Sequence, residues 1–101
     1  MKMYILIPND ISIGMAVNSA AHASLKCHLK YQHDPEYQDW LNNSFKKVTC
    51  SVTAYDFEMV KQVNDYVIVT ESNLYDKEVA IAFKPRKEYP AIFKTFDLYG
   101  K

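Results

Sequence analysis

The stretch from Met3 to Ser24 constrains the fold more than any other part of the chain. A continuous apolar run, Met3 to Ile7, leads into a polar turn, Pro8-Asn9-Asp10, and then into a segment rich in alanine and serine. Such a run predicts a strand buried on both faces, as in a parallel or mixed sheet covered by helices. Alanines at helical spacing predict a helix over 13–30 that packs closely on the sheet. The turn falls at the carboxyl end of the strand, where open α/β sheets place their ligands.

The rest of the chain continues this alternation of strands and helices. The whole order reads β-α-α-β-α-β-β-α, which predicts a single three-layer α/β domain over residues 1–101, with a mixed four-stranded sheet and helices on both faces. The third and fourth strands are expected to pair antiparallel. The predicted strands are 3–7, 47–53, 66–70 and 79–83, and the helices after the first are 36–43, 55–63 and 86–93.

Composition excludes several classes of protein. The chain has 101 residues, enough for one domain, and its twelve basic and twelve acidic residues give a formal net charge of zero, which argues against a dedicated nucleic-acid binder. No apolar run reaches the roughly 20 residues that span a bilayer, and no secretory signal is recognised, so we expect a cytoplasmic protein without membrane contact. Cys27 and Cys50 are expected to be reduced. Neither they nor the histidines have metal-ligand spacing, so no metal or other cofactor is expected.

Four sequence features together carry a family resemblance. They are Lys2-Met3-Tyr4-Ile5-Leu6-Ile7, Asn9-Asp10, Gly14 and Ala20-Ala21-His22-Ala23. With them the chain resembles the type 2 peptidyl-tRNA hydrolases, and it is most similar to an uncharacterised branch whose helix reads Gly-x-Ala-x-Asn-x-Ala-Ala-His-Ala. The resemblance implies the α/β fold of that family, hydrolysis of the ester between a peptide and the tRNA 3′ end, and tRNA as a partner.

The chain also departs from the family at positions that matter chemically. Met15 stands where the resemblance implies a lysine, and Ser19 where it implies a glutamine. Glu71 replaces an aspartate at the end of the third strand, and the loop over 72–75 is short and lacks glycine and threonine. Ester hydrolysis needs a positioned base or water and positive charge at the developing oxyanion. Loss of one such charge costs on the order of 10²–10³ in rate.

The candidate site combines one carboxylate and one imidazole with a set of binding residues. Glu71 and His22 are the predicted catalytic residues. The alternative for His22 is a partly buried structural histidine, and for Asp10 a turn that its side chain stabilises. The predicted substrate-binding residues are polar, cationic or next to exposed backbone: Asp10, Gly14, Met15, Asn18, Lys84, Arg86 and Lys87.

A basic cluster and an aromatic cluster are further candidates for binding surfaces. The basic run from Lys84 to Lys87 could contact RNA phosphates, with Tyr89 and Phe93 stacking on a base; a solvated helix start is the alternative. Tyr31, Tyr37 and Trp40 could form an exposed binding or dimer surface.

The sequence therefore predicts a peptidyl-tRNA hydrolase-like protein whose hydrolysis is weakened or lost, and which binds a small molecule or a tRNA end. Two alternatives stay open. One is an active esterase on peptidyl-tRNA or another ester or amide, with its charge supplied from another element. The other is a non-enzymatic module that forms homodimers through a sheet edge or the aromatic surface.

Overall fold

Strands and helices alternate along the chain much as the sequence predicts. In a computed structural model that describes all 101 residues, the first half contains β1 (Lys2–Pro8), α1 (Ile13–Tyr31), α2 (Pro35–Asn42) and β2 (Lys46–Val52). The second half contains α3 (Ala54–Met59), β3 (Tyr66–Glu71), β4 (Lys77–Phe83) and β5 (Asp97–Leu98). Short 3-10 turns cover Val60–Gln62, Ser72–Leu74 and Ala91–Thr95.

The strands form one mixed sheet in the order β3-β4-β1-β2-β5. β1 is parallel to β2 and antiparallel to β4, and β3 pairs antiparallel with β4. The predicted mixed sheet and the predicted antiparallel pair are thus confirmed. The sheet has five strands rather than four, because Leu98 and Asp97 add a short edge strand opposite Cys50 and Ser51.

Burial of β1 on both faces explains its unbroken apolar sequence. Met3, Ile5 and Ile7 belong to the core beneath α1 and α2, whereas Tyr4 and Leu6 belong to the core beneath α3 and the last 3-10 turn. Side chains alternate between the two faces of a strand, so a central strand covered by helices on both sides must be apolar at every position. The helices therefore lie on both faces, as predicted.

Two of the three residues of the predicted aromatic surface are buried, and the third, Tyr31, is half-buried. Tyr37 and Trp40 are buried, and the Trp40 indole donates a hydrogen bond to the Lys46 carbonyl at 2.8 Å. The prediction of an exposed aromatic surface is therefore wrong, because α2 turns these rings inward.

The predicted helix over 86–93 is also wrong: a 3-10 turn begins only at Ala91, after Pro90, and Phe93 is buried.

Lysines of α1 reach the outer edge of β3. Lys26 Nζ donates to the Ile68 carbonyl at 2.6 Å, and Lys30 Nζ donates to the Tyr66 carbonyl at 3.3 Å. The carbonyl of Asp65 points the other way and accepts from Lys84 N at 2.8 Å. Alternate carbonyls of a strand point in opposite directions, so the two lysines cover the side of β3 that has no neighbouring strand.

Both cysteines are free and buried. Burial raises the pKa of the Cys27 thiol to about 12, and burial together with the charge of Asp97 raises the pKa of Cys50. Buried thiols with raised pKa values are poor nucleophiles, so neither cysteine has the character of a catalytic residue.

No helix is both long enough and apolar enough to cross a membrane.

Candidate functional site

The ends of three elements meet at one edge of the sheet. β1 ends at Pro8, the neighbouring antiparallel strand β4 begins at Lys77, and β3 ends at Glu71, opposite Lys77 in the register. The turn after β1 is fixed by a hydrogen bond from Asn9 N to the Val52 carbonyl at 2.8 Å, and α1 starts directly behind it. The topology thus brings Asp10, the first turn of α1 and Glu71 to the same edge.

An ion pair lies at the centre of this edge. Lys77 Nζ donates to Asp10 Oδ2 at 3.0 Å, and both side chains are partly exposed. A cavity of about 410 Å³ opens beside the pair, with Met15 and Leu74 as apolar walls. We call this cavity the Met15 cleft; it is lined by Asp10, Ile11, Ser12, Met15, Leu74 and Lys77.

Lys77 is a candidate site residue that sequence reasoning missed. It is the only cation that lines the Met15 cleft. The predicted fourth strand began at Val79, so Lys77 was assigned to a loop. The opposite charges of Glu71 and Lys77, either side of a short turn, are a pattern typical of cross-strand pairs, and that pattern could have placed Lys77 at the strand end.

The first turn of α1 positions Met15 by backbone capping. Ser12 is the N-cap, and its Oγ accepts a hydrogen bond from Met15 N at 3.2 Å. The Met15 side chain packs against the core while it also borders the cleft. Gly14 is exposed, and a Cβ there would have no heavy atom within 4 Å. Packing therefore does not require glycine at this position. The lack of a side chain leaves the helix backbone at Gly14 open to contact by a ligand.

Asn18 and His22 continue outward along α1 from Gly14. The three residues are spaced four apart, so they share one face of the helix, and all three are exposed. His22 makes no side-chain hydrogen bond, so the alternative of a partly buried structural histidine is wrong. With a rise of about 1.5 Å per residue, His22 lies roughly 10 Å along the helix from Met15.

Glu71 is held by its own turn. Its Oε1 accepts a hydrogen bond from Asn73 N at 3.0 Å and thereby caps the 3-10 turn at Ser72–Leu74. The turn ends with two residues at positive φ, Tyr75 at 54° and Asp76 at 60°. Glu71 thus lies at the same edge of the sheet as the Met15 cleft without lining it, and one of its carboxylate oxygens is engaged by the turn.

The three predicted cationic residues lie at the opposite end of the sheet. β4 runs away from the cleft and ends at Phe83, so Lys84, Arg86 and Lys87 lie near Lys2, at the start of β1. Six residue steps along β1 correspond to roughly 20 Å. The structure therefore does not bring these cations together with the Met15 cleft.

Lys84 is further occupied by two carboxylates. Its Nζ lies 3.2 Å from Asp34 Oδ2 and 3.2 Å from Glu36 Oε1, and only 12% of its side chain is exposed. Burial alone would lower the pKa of Lys84, but the hydrogen bonds to these carboxylates raise it above its ordinary value. Lys84 therefore joins the end of β4 to the start of α2 and is not free to bind an anion.

Comparison with known proteins tests the resemblance. No curated protein matches the chain. The family model described as "Peptidyl-tRNA hydrolase PTH2" matches residues 1–76. The match covers β1, α1 and Glu71, and thus the turn and helix that border the Met15 cleft, and it stops just before β4. Since it covers well over half of the chain, the chain belongs to the peptidyl-tRNA hydrolase PTH2 family.

Proposed function

We propose that this chain is a peptidyl-tRNA hydrolase-like protein that binds the 3′ end of tRNA, or a small ligand of similar chemistry, at the Met15 cleft, with weakened hydrolysis. The observation that carries the proposal is Met15 itself: a thioether borders the cleft at the position where the family resemblance implies a lysine. A thioether supplies neither charge nor a strong donor to an oxyanion. Asp10, Gly14, Met15 and Asn18 are the proposed contacts to the substrate.

Two polar side chains, Glu71 and His22, support slow hydrolysis of the ester rather than a complete loss of activity. Glu71 and His22 are the proposed catalytic residues, Glu71 to orient a water and His22 to exchange a proton. Glu71 has one oxygen tied to Asn73 N, and His22 lies two helical turns from Met15. Glu71 would have to release the Asn73 amide, and the substrate would have to extend two helical turns along α1 to meet His22. A preorganised site avoids these costs.

An active hydrolase is the second candidate, and Lys77 favours it. Lys77 Nζ borders the Met15 cleft and could supply the positive charge that Met15 lacks, although Asp10 at 3.0 Å neutralises it in this structure. In this reading the substrate competes with Asp10 for the ammonium group. The substrate would be peptidyl-tRNA or another ester or amide.

Restoring the lysine tests the proposal. Met15→Lys should raise peptidyl-tRNA hydrolysis above wild type by about 10²-fold, because it returns one charge to the oxyanion, and Glu71→Gln in that background should remove the gain. Methionine and lysine are both unbranched and similar in length, so the fold should survive. Met59→Lys is the matched control, since Met59 is a partly buried methionine on α3 and does not line the Met15 cleft. Equal rates in wild type and Met15→Lys would contradict the proposal, and a wild type as fast as the variant would favour the second candidate.

We also propose a cytoplasmic homodimer, which the surface of α1 supports. Ile13, Val17, Leu25 and Leu29 are 58–72% exposed and recur every four residues or multiples of four, so they form one apolar stripe. Exposed apolar stripes mark interaction surfaces, and free cysteines agree with a reducing compartment. Sedimentation of wild type and Val17→Lys tests the dimer: a wild type that is monomeric at all concentrations would contradict it.

A further inference from the structure

A second cavity lies at the end of the sheet opposite the Met15 cleft. It has a volume of about 430 Å³ and opens between the start of β1 and the segment after β4. We call it the basic pocket and define it by Lys2, Arg86, Lys87, Tyr89 and Lys94. All of these except Lys2 lie beyond residue 76, outside the part of the chain that matches the PTH2 family.

The basic pocket concentrates unpaired positive charge. Four of the twelve Lys and Arg residues line it, against a single carboxylate, Glu88, in a chain whose formal net charge is zero. None of these four cations lies in an ion pair, whereas Lys61, Lys77 and Lys84 elsewhere in the fold are all paired with carboxylates. Five other lysines without an ion pair are spread over the rest of the chain, but these four cations share one concave surface, and such a grouping creates a local field that favours anions.

The Arg86 guanidinium is held in place by neutral groups. Its Nε donates to the Glu88 carbonyl at 3.0 Å, an Nη donates to the Asn64 carbonyl at 3.5 Å, and its Cζ lies 5.4 Å from the centre of the Tyr89 ring. These contacts orient the guanidinium without neutralising its charge. The remaining N–H groups form part of the fork geometry that matches phosphate oxygens.

A rigid aromatic layer supports the pocket. The Tyr89 ring stacks on Phe93 with centroids 5.0 Å apart and meets the edge of Tyr4 at 4.7 Å. Its hydroxyl lies 2.8 Å from the Lys2 carbonyl and 3.0 Å from the Lys84 carbonyl. The predicted stacking of Tyr89 and Phe93 on a base is therefore wrong, because Phe93 is buried and the Tyr89 ring is already in contact with Phe93, Tyr4 and Arg86. The pocket offers charge to a ligand but no free aromatic face.

We propose that the basic pocket binds a phosphate group, with Arg86 as the oriented donor and Lys2, Lys87 and Lys94 as surrounding charges. Four cations face a single carboxylate, Glu88, in this pocket, and this excess of positive charge favours the phosphate as the recognised group. The source is either the backbone of an RNA or a small phosphorylated molecule. The RNA case rests on the proposed function, since the RNA would be the tRNA whose end enters the Met15 cleft roughly 20 Å away.

Titrations followed by backbone amide NMR shifts test the pocket independently of hydrolysis. The probes are inorganic phosphate, pyrophosphate and deacylated tRNA, each against wild type. We expect shifts at Arg86, Lys87 and Lys94 for at least one probe, and an affinity reduced at least tenfold by Lys87→Gln/Lys94→Gln. Arg86→Gln tests the oriented donor, and the double lysine variant keeps the test valid if Arg86→Gln does not fold. Lys30→Gln, on the opposite face of the sheet, is the matched charge control.

Salt dependence separates the two sources. For tRNA, the double lysine variant should lower the slope of log affinity against log salt by roughly two, about one for each phosphate that a lysine no longer neutralises. Shifts with tRNA and this slope change identify RNA as the source, whereas shifts with phosphate or pyrophosphate alone identify a small ligand. No pocket shift with any probe, or an equal loss of affinity in Lys30→Gln, would overturn the proposal. Shifts with tRNA only at Asp10 and Met15 would overturn it while leaving the proposed function intact.

Discussion

The two ends of the sheet handle charge in opposite ways. At the Met15 cleft, Lys77 is paired with Asp10 and Glu71 caps its own turn. At the basic pocket, four cations lack carboxylate partners, and Arg86 is fixed by carbonyl groups instead. A cleft whose charges neutralise one another must be opened by its ligand, whereas a pocket with unpaired charge is ready to bind. The Met15 cleft, which lies mostly in the part of the chain that matches the PTH2 family, is therefore less ready to bind a charged ligand than the basic pocket.

Removing the cation of the Met15 cleft is the strongest way to break this comparison. On the active-hydrolase candidate, Lys77→Gln should lower peptidyl-tRNA hydrolysis by about 10²-fold, because the only cation lining the cleft is lost. Single-turnover assays with protein in excess over peptidyl-tRNA measure the rate. Lys30→Gln, which removes a charge at the end of α1 far from the Met15 cleft, should hydrolyse at the wild-type rate. Unchanged hydrolysis in Lys77→Gln would contradict the active-hydrolase candidate.

Rigidity of the basic pocket is tested at Tyr89. Tyr89→Phe should lower the free energy of unfolding by about 1–2 kcal/mol, because the one O–H donor that the Lys2 and Lys84 carbonyls share is lost. Urea denaturation measures the change. Tyr55→Phe is the matched control, since Tyr55 is largely exposed and should lose little stability. Equal effects of the two substitutions would mean that the Tyr89 hydrogen bonds do not hold the pocket.

Capping at the Met15 cleft should matter less. Ser12→Ala removes the oxygen that accepts from Met15 N and should cost about 1 kcal/mol of stability. Ser12→Asp retains an acceptor and should stay close to wild type in thermal denaturation. A neutral Ser12→Ala would indicate that the turn is fixed by the Asn9 backbone bond alone.

Acid stability gives the smallest expected effect and concerns the pair that fixes Lys84. Burial tends to raise the pKa of Asp34, but hydrogen bonds from the Tyr37 backbone and from Lys84 lower it below its ordinary value. A lowered carboxyl pKa stabilises the folded state above the unfolded pKa of about 4, and this contribution is lost as pH falls through the folded pKa. Asp34→Asn keeps an acceptor at the α2 N-cap, so it should reduce this acid-dependent loss by about 0.5 kcal/mol. Identical pH profiles for wild type and Asp34→Asn would contradict this assignment.

The sequence predicted the layers of the fold because hydrophobic patterning is local. The unbroken run of β1 and the alanine spacing of α1 directly report which faces are buried, and both elements lie within a residue or two of their predicted bounds. The segment after Phe83 was predicted less well. Its path depends on contacts between Arg86, Tyr89 and the distant Lys2, which no local pattern encodes.

The candidate site was predicted in part for the same reason. Asp10, Met15 and Glu71 follow strand ends, and strand ends of known direction meet at one edge. Lys84, Arg86 and Lys87 were assigned to that edge only because they are cationic, and the antiparallel direction of β4 carries them to the other end. Lys77 was missed because its position depends on where β4 begins.

The lysines of α1 that cover the outer edge of β3 have a consequence for self-association. An uncovered edge strand is a template on which another chain can add a strand, and this is a common route to aggregation. An incoming strand would have to displace the ammonium groups that Lys26 and Lys30 place on the Ile68 and Tyr66 carbonyls. The β-branched run Val67-Ile68-Val69 would otherwise suit such growth. These two lysines thus act as gatekeepers against cross-β growth.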